Sequence, residues 1–187
     1  VGIESPNGGV GYDRNDREKG GNGYVPISLQ YSDYTATDAR EVSLAGGSPL
    51  EDFKNRSYNG KTVSTLNYND LKMVQETREK MREKPVLVVI RVAKPMVFSE
   101  IEPLASSIMI HMGIQDEAIL DIISGKSEPS ALLPFQMPAD MSTVEKQFED
   151  VPRDMTPYKD AEGNSYDFAF GLNWKGVIDD DRVKKYK

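Results

Sequence analysis

Val86-Leu87-Val88-Val89-Ile90, entered through Pro85 and continued by Arg91-Val92, is a short unbroken apolar run rich in β-branched residues. That composition belongs to a strand covered on both faces in a parallel sheet. Before it, Leu71, Val74, Arg78 and Met81 follow helical spacing, and the basic, polar stretch Lys80–Lys84 closes a helix over 70–83. After it, Ser99 to Leu104 reads as a short helix and Ile108-Met109-Ile110-His111-Met112 as a second buried strand. A third helix is expected from Asp116 to Ser124, with Ile119, Leu120, Ile122 and Ile123 facing inward and Gly125 as its stop. Helices and strands alternating through short connections predict an open, mostly parallel α/β sheet.

The rest of the chain is less regular. From Asn7 to Gly23 six glycines and several charged residues stand without apolar periodicity, which predicts a long loop with unusual backbone angles. Loops of this length tend to be functional or disordered. Gly46-Gly47-Ser48-Pro49 and Tyr58-Asn59-Gly60-Lys61 are turn signals within an irregular excursion from Tyr24 to Thr65. Beyond Pro129, Ser142-Thr143-Val144-Glu145 fits a capping box, and Tyr166-Asp167-Phe168-Ala169-Phe170 alternates like an edge strand. The charged segment 179–187 is expected to fray, leaving 1–178 as one domain.

Composition narrows the function classes. The 187 residues are 38% apolar and 28% charged, and no apolar run approaches the ~20 residues that cross a bilayer, so no integral membrane role is expected. A net charge of −7 repels phosphate backbones and anionic lipid heads, so neither nucleic acid nor a membrane surface is an expected partner. With no cysteine there are no disulfides or thiolate metal sites. His111, the sole histidine, sits in an apolar strand without evident metal or triad partners and reads as structural, as does Asp121 on its helix. The glycines at 8, 9 and 11 lack the spacing and the Gly-Lys-Ser/Thr of a phosphate loop. Asn55-Arg56-Ser57 is formally a glycosylation sequon. Val1 and Ile3 read as the end of a buried strand running into the loop, as though the chain were cut from a longer one.

Four segments, taken in order, resemble family 3 glycoside hydrolases of the β-glucosidase kind. Gly11-Tyr12-Asp13-Arg14 is similar to the end of that family's Glu-Gly-x-Asp-Arg loop, and Pro85–Val92 with Lys94-Pro95 to its apolar strand and Gly/Lys-Pro step. Gly113–Gly125 with Asp121, leading into Pro129-Ser130-Ala131-Leu132-Leu133-Pro134, resembles its Ala-Asp-x-Leu-x-Gly and Pro-Ser-Gly-x-Leu-Pro elements. Tyr166-x-Phe168-x-Phe170-Gly171-Leu172-Asn173-Trp174 resembles its terminal aromatic element. Ala131 and Ala169 stand where the family has glycine.

The resemblance implies a three-layer α/β/α sandwich whose sheet is incomplete on its N-terminal side, packed against an N-terminal barrel domain with the carbohydrate substrate between them. It implies no cofactor and no metal, and suggests a periplasmic or secreted location that the residues themselves leave open. It also implies retaining hydrolysis, in which one carboxylate attacks the anomeric carbon and a second, about 5–5.5 Å away, protonates the leaving oxygen. Members that place the acid/base on this loop have Glu three residues before the Asp of Asp-Arg, a position held here by Val10. The catalytic residue is therefore not assignable from the pattern, and Glu4, Asp13, Asp16 and Glu18 are the acid/base candidates. Asp13 and Arg14 are expected to bind substrate or to pair with each other. The Tyr166–Trp174 aromatics are read chiefly as packing residues. A non-catalytic carbohydrate-binding relative, a structural domain bracing the barrel, and an unrelated flavodoxin-like binding module are the alternatives. An incomplete sheet would leave an apolar face exposed, so the isolated chain is expected to self-associate.

Overall fold

A computed structural model describes residues 1–41, 56–148 and 151–186. The Gly46–Pro49 turn signal and Asn55 of the sequon lie outside them. Three parallel strands, β1 (Gly2–Glu4), β4 (Leu87–Arg91) and β5 (Ser107–His111), form the main sheet in the order β1-β4-β5. The register pairs Ile3 with Ile90 and Ile90 with Ile110. The apolar run therefore lies at the centre of the parallel sheet and the α/β class is as expected, but the run is not covered equally on both faces: Val88 and Ile90 are buried whereas Leu87 and Val89 are only partly so.

Alternation decides which face is buried. Val86, Val88, Ile90 and Val92 are almost wholly inaccessible and join Ile3, Phe98, Ile101 and Met137 in one apolar cluster. The 14-residue helix α2 (Tyr68–Met81) covers that face through Leu71 and Val74, the helical positions read from the spacing. Tyr31, fully buried in the same cluster, donates its hydroxyl to the Glu4 carbonyl at 2.6 Å and so fastens the end of β1. Ordinary per-residue burial of this kind stabilises by about 1.5–3 kcal/mol for each large side chain.

Several expectations need correction. β5 is an edge strand with partly exposed residues rather than a buried one, because none of the described residues pairs with its outer side. Helix α3 (Asp116–Ile123) forms as expected, yet none of its residues is buried: Leu120 is 61% exposed and Ile123 46%. Helix α4 (Met141–Lys146) is capped by Asp140, whose carboxylate accepts from the Thr143 amide, and Ser142 lies inside the helix rather than capping it. Segment 166–170 is no strand. Tyr166 instead packs against Phe98, Tyr158 and Phe170, and Ala169 bends the backbone at φ +66. Burial pushes the Tyr166 hydroxyl up to about 12. That left-handed angle favours glycine, the residue of the resembling motif.

Within the described residues the tail is helical rather than frayed. Residues Asp181–Tyr186 form helix α5, whose Val183 is buried, and Arg182 pairs with Asp180 and donates to the Ser130 carbonyl. The short helix expected over 99–104 is a single 3-10 turn, Glu102–Leu104, and two small antiparallel pairs lie outside the main sheet: β2 (Tyr34–Thr35) with β3 (Thr62–Val63), and β6 (Leu172–Asn173) with β7 (Gly176–Val177).

Candidate functional site

The 7–23 loop leaves the carboxyl end of β1, on the sheet edge where open parallel sheets receive ligands. It is more ordered than its glycines suggested. Gly8 bridges to both Ser28 and Thr65, and Tyr12 bridges to Tyr24. Gly9 has φ +75, and a Cβ there would lie 1.9 Å from the Pro26 carbonyl oxygen, so only glycine fits that crossing.

Between the bridges runs a one-turn helix, α1 (Arg14–Glu18). Asp13 caps it: the Asp13 backbone is extended and its Oδ1 accepts from the Asn15 amide at 2.8 Å. Asp13 and Arg14 are thus not paired with each other. Arg14 Nε instead donates to Glu18 Oε1 at 2.9 Å, one helical turn on, with both side chains well exposed. Asp16 turns away from that pair. Its Oδ2 accepts from the Gly23 amide and from Lys61 Nζ, each at 2.8 Å, while Lys61 also donates to Asn22 Oδ1 and the Tyr24 carbonyl. The Lys61 ammonium and the Gly23 amide hold the Asp16 carboxyl below its ordinary value of 3.8. A carboxylate held ionised in this way is a poor proton donor.

Lys61 is the residue that sequence reasoning missed, since its only signal was a Tyr-Asn-Gly-Lys turn far along the chain. Lys61→Met is expected to loosen the loop, seen as faster amide exchange at Gly23; unchanged exchange would show that the bridges hold it without Lys61. Asp16 gives the same interaction a pH dependence. Its folded value lies below the unfolded one, so its stabilisation is complete above about pH 4 and is lost as pH falls through the folded value.

Tyr12, Arg14, Arg17 and Glu18 line an open depression over α1. Val10, where the resembling loop carries Glu, is 71% exposed nearby in sequence. Glu4 stands apart at the end of β1, exposed and 3.5 Å from Arg91 Nη1. The candidates therefore divide: Arg14 and Glu18 share the depression, Asp13 and Asp16 maintain the loop, and Glu4 belongs to the sheet end.

His111 accepts from the Gly113 amide at the turn after β5, and Asp121 pairs with Lys126 at 3.0 Å, both structural roles. Phe168 and Trp174 are about half exposed, whereas Tyr166 packs. Among the described residues no three histidine or carboxylate side chains converge as a metal site, and no helix is long and apolar enough to cross a membrane.

Comparison with known proteins gives this geometry a context. A model of the glycosyl hydrolase family 3 C-terminal domain matches residues 33–174. Probable beta-glucosidase C of Aspergillus flavus is 30% identical over 136 residues, 71% of this chain and 21% of that protein. Beta-glucosidase C of Emericella nidulans is 39% identical over 70 residues, 37% of this chain and 11% of that protein. A periplasmic beta-glucosidase/beta-xylosidase of Dickeya chrysanthemi is 27% identical over 70 residues, again 37% of this chain and 11% of that protein. The match with the Aspergillus flavus protein thus spans about a fifth of that relative's length. No solved structure matches the chain.

Proposed function

Because the chain belongs to glycosyl hydrolase family 3, as its C-terminal domain, we propose that it forms one wall of the sugar cleft in a β-glucosidase-like retaining hydrolase whose barrel domain lies elsewhere in the parent. The observation that carries this reading is the placement of the 7–23 loop: it leaves the carboxyl end of a parallel strand and presents Arg14 and Glu18 to solvent on a backbone tied down by Lys61. The loop precedes the residues that the family model matches, so its role rests on this geometry.

In the proposed mechanism the barrel supplies the nucleophile and this chain contributes hydroxyl recognition. Arg14 offers guanidinium donors, and Glu18 an acceptor. Of the acid/base candidates, Asp16 is held ionised by Lys61 and Asp13 is engaged as a cap, which leaves Glu18 beside the depression and Glu4 at the sheet end. The isolated chain, lacking the nucleophile, is proposed to be inactive. Its exposed α3 face is proposed to meet the rest of the parent, or another copy when the chain is free, an association that light scattering registers.

Arg14→Ala in the longer enzyme is expected to lower kcat/KM for an aryl β-glucoside by about ten- to a hundredfold, the equivalent of ~1–3 kcal/mol for hydroxyls left unpaired. Arg14 is a cleaner test than Asp13, whose removal also uncaps α1. A parent rate retained by Arg14→Ala would make the loop a surface feature. Val10 favours a second reading, a carbohydrate-binding relative without catalysis, since an apolar side chain cannot deliver the proton.

A further inference from the structure

Lys94 stands just past the carboxyl end of β4, the central strand of the parallel sheet, at the end from which the 7–23 loop departs. Its backbone is fixed on both sides. The Val92 amide bonds the His111 carbonyl, the Ala93 amide bonds Ser5 Oγ at 3.3 Å, and the Val97 amide bonds the Leu29 carbonyl. Pro95 disfavours helical backbone at Lys94. Of the described lysines only Lys61 and Lys94 are half-buried, the others being exposed. Lys61 Nζ donates to three acceptors, whereas Lys94 Nζ makes no hydrogen bond or ion pair among the described residues.

Burial without a counter-charge pulls the Lys94 ammonium below its ordinary value of 10.5. An amine that gives up its proton readily is a nucleophile toward carbonyl carbon. The stretch around it, Val92 and Met96–Phe98, is buried and apolar, and the chain's net charge of −7 disfavours anions, so the reagent that fits is uncharged. We propose that Lys94 is a covalent modification site whose ε-amine condenses with the aldehyde of a small neutral reducing sugar. The Nζ lone pair attacks C1 of the open-chain sugar, and the carbonyl oxygen takes the proton that nitrogen releases. Loss of that hydroxyl as water leaves a C=N bond. Two hydrogens then shift from C2 and its hydroxyl to C1 and nitrogen, giving a ketoamine: C2 is oxidised as C1 is reduced, and water is the sole by-product. The site is independent of the cleft assignment; only the choice of glucose as the sugar rests on it.

The experiment incubates the longer enzyme with D-glucose and sodium cyanoborohydride at about pH 7, which traps the imine as a secondary amine, and quantifies adducts by peptide mass mapping. Lys94 is expected to be labelled about fivefold or more faster than the exposed Lys72 and Lys84. That lead is expected to shrink toward about pH 10, where exposed amines also lose their protons. Lys94→Arg keeps the charge but cannot form the imine, and is expected to lose this adduct alone. Labelling of Lys94 no faster than of Lys72 and Lys84 overturns the proposal. So does a larger lead with the anionic aldehyde glyoxylate than with glucose, which would make Lys94 an ammonium that binds anions. Hydrolysis of an aryl β-glucoside reads the cleft assignment separately: preferential labelling at Lys94 in a parent that hydrolyses nothing would sink the cleft and leave this site standing.

Discussion

Glu100→Ala is expected to destabilise the domain by about 3 kcal/mol, because one carboxylate satisfies two backbone donors at the edge of the core and bonds to a charged acceptor contribute about 1.5–3 kcal/mol each. Glu100 Oε2 accepts from the Tyr31 amide at 2.6 Å, and Oε1 from the Ser32 amide at 3.0 Å. Tyr31 is wholly buried, so removing the carboxylate strands its N–H away from water. The same segment is held to the stretch after β4 by the Val97 amide bonding the Leu29 carbonyl and to the end of β1 by the Tyr31 hydroxyl bonding the Glu4 carbonyl. The loss therefore loosens the support of β1 as well as the two donors.

For a domain of this size that loss corresponds to a fall of roughly 6–12 °C in Tm. Glu100→Gln is expected to recover only part of it, since one amide oxygen can replace one carboxylate oxygen while its NH₂ group faces the second donor. Thermal and urea unfolding of both variants measure the difference. Equal stability of parent and Glu100→Ala would mean that solvent reaches the two amides.

Glu100 also marks where sequence reasoning stops. The strand at 87–91 was legible because a short unbroken run rich in β-branched residues favours the extended backbone of a central strand, and α2 because Leu71 and Val74 recur at helical spacing. Those signals are local. Whether α3 is buried depends on what lies against it, and the helical spacing of Ile119, Leu120, Ile122 and Ile123 is the same with or without a partner. The α4 cap was misplaced because Asp140 and Ser142 are both good cap residues two positions apart. The extended backbone at Asp140, φ −161 and ψ 177, decides between them. At 166–170 alternation suggested a strand, but the positive φ of Ala169 and the aromatic cluster on Tyr166 took precedence.

The geometry around the candidate residues was legible only in part. The candidate residues other than Glu4 are gathered between Asp13 and Glu18, and an i,i+4 pairing of Arg14 with Glu18 follows once a helix is present there. The division of labour among the carboxylates was not legible. Asp16 is taken out of candidate chemistry by Lys61, 45 residues away, and the long-range closure that brings them together has no local signature.

Val10→Glu in the longer enzyme is expected to raise kcat/KM for an unactivated alkyl β-glucoside by about a hundredfold or more, the low end of what a positioned general acid contributes. The substitution is sterically simple, because Val10 is 71% exposed and has an ordinary backbone between Gly9 at φ +75 and Gly11 at φ +77. Those two glycines and the bridge from Gly8 to Ser28 and Thr65 set the direction in which residue 10 projects, so the new carboxyl inherits a defined position. The loop already carries charged groups, so the added carboxylate needs no burial and should leave folding stability within about 0.5 kcal/mol. A general acid matters most when the leaving group is a poor one. An alkoxide requires the proton as the glycosidic bond breaks, whereas a dinitrophenolate departs without it. The gain should therefore appear with the alkyl glucoside and nearly vanish with a dinitrophenyl glucoside, and the alkyl reaction should acquire a high-pH limb reporting the new carboxyl. Equal acceleration of both substrates would mean that the substitution acts through binding. An unchanged rate on both would move the acid role back to Glu18 or Glu4, where the matching test is the loss of alkyl glucoside hydrolysis in Glu18→Gln or Glu4→Gln with the dinitrophenyl rate preserved.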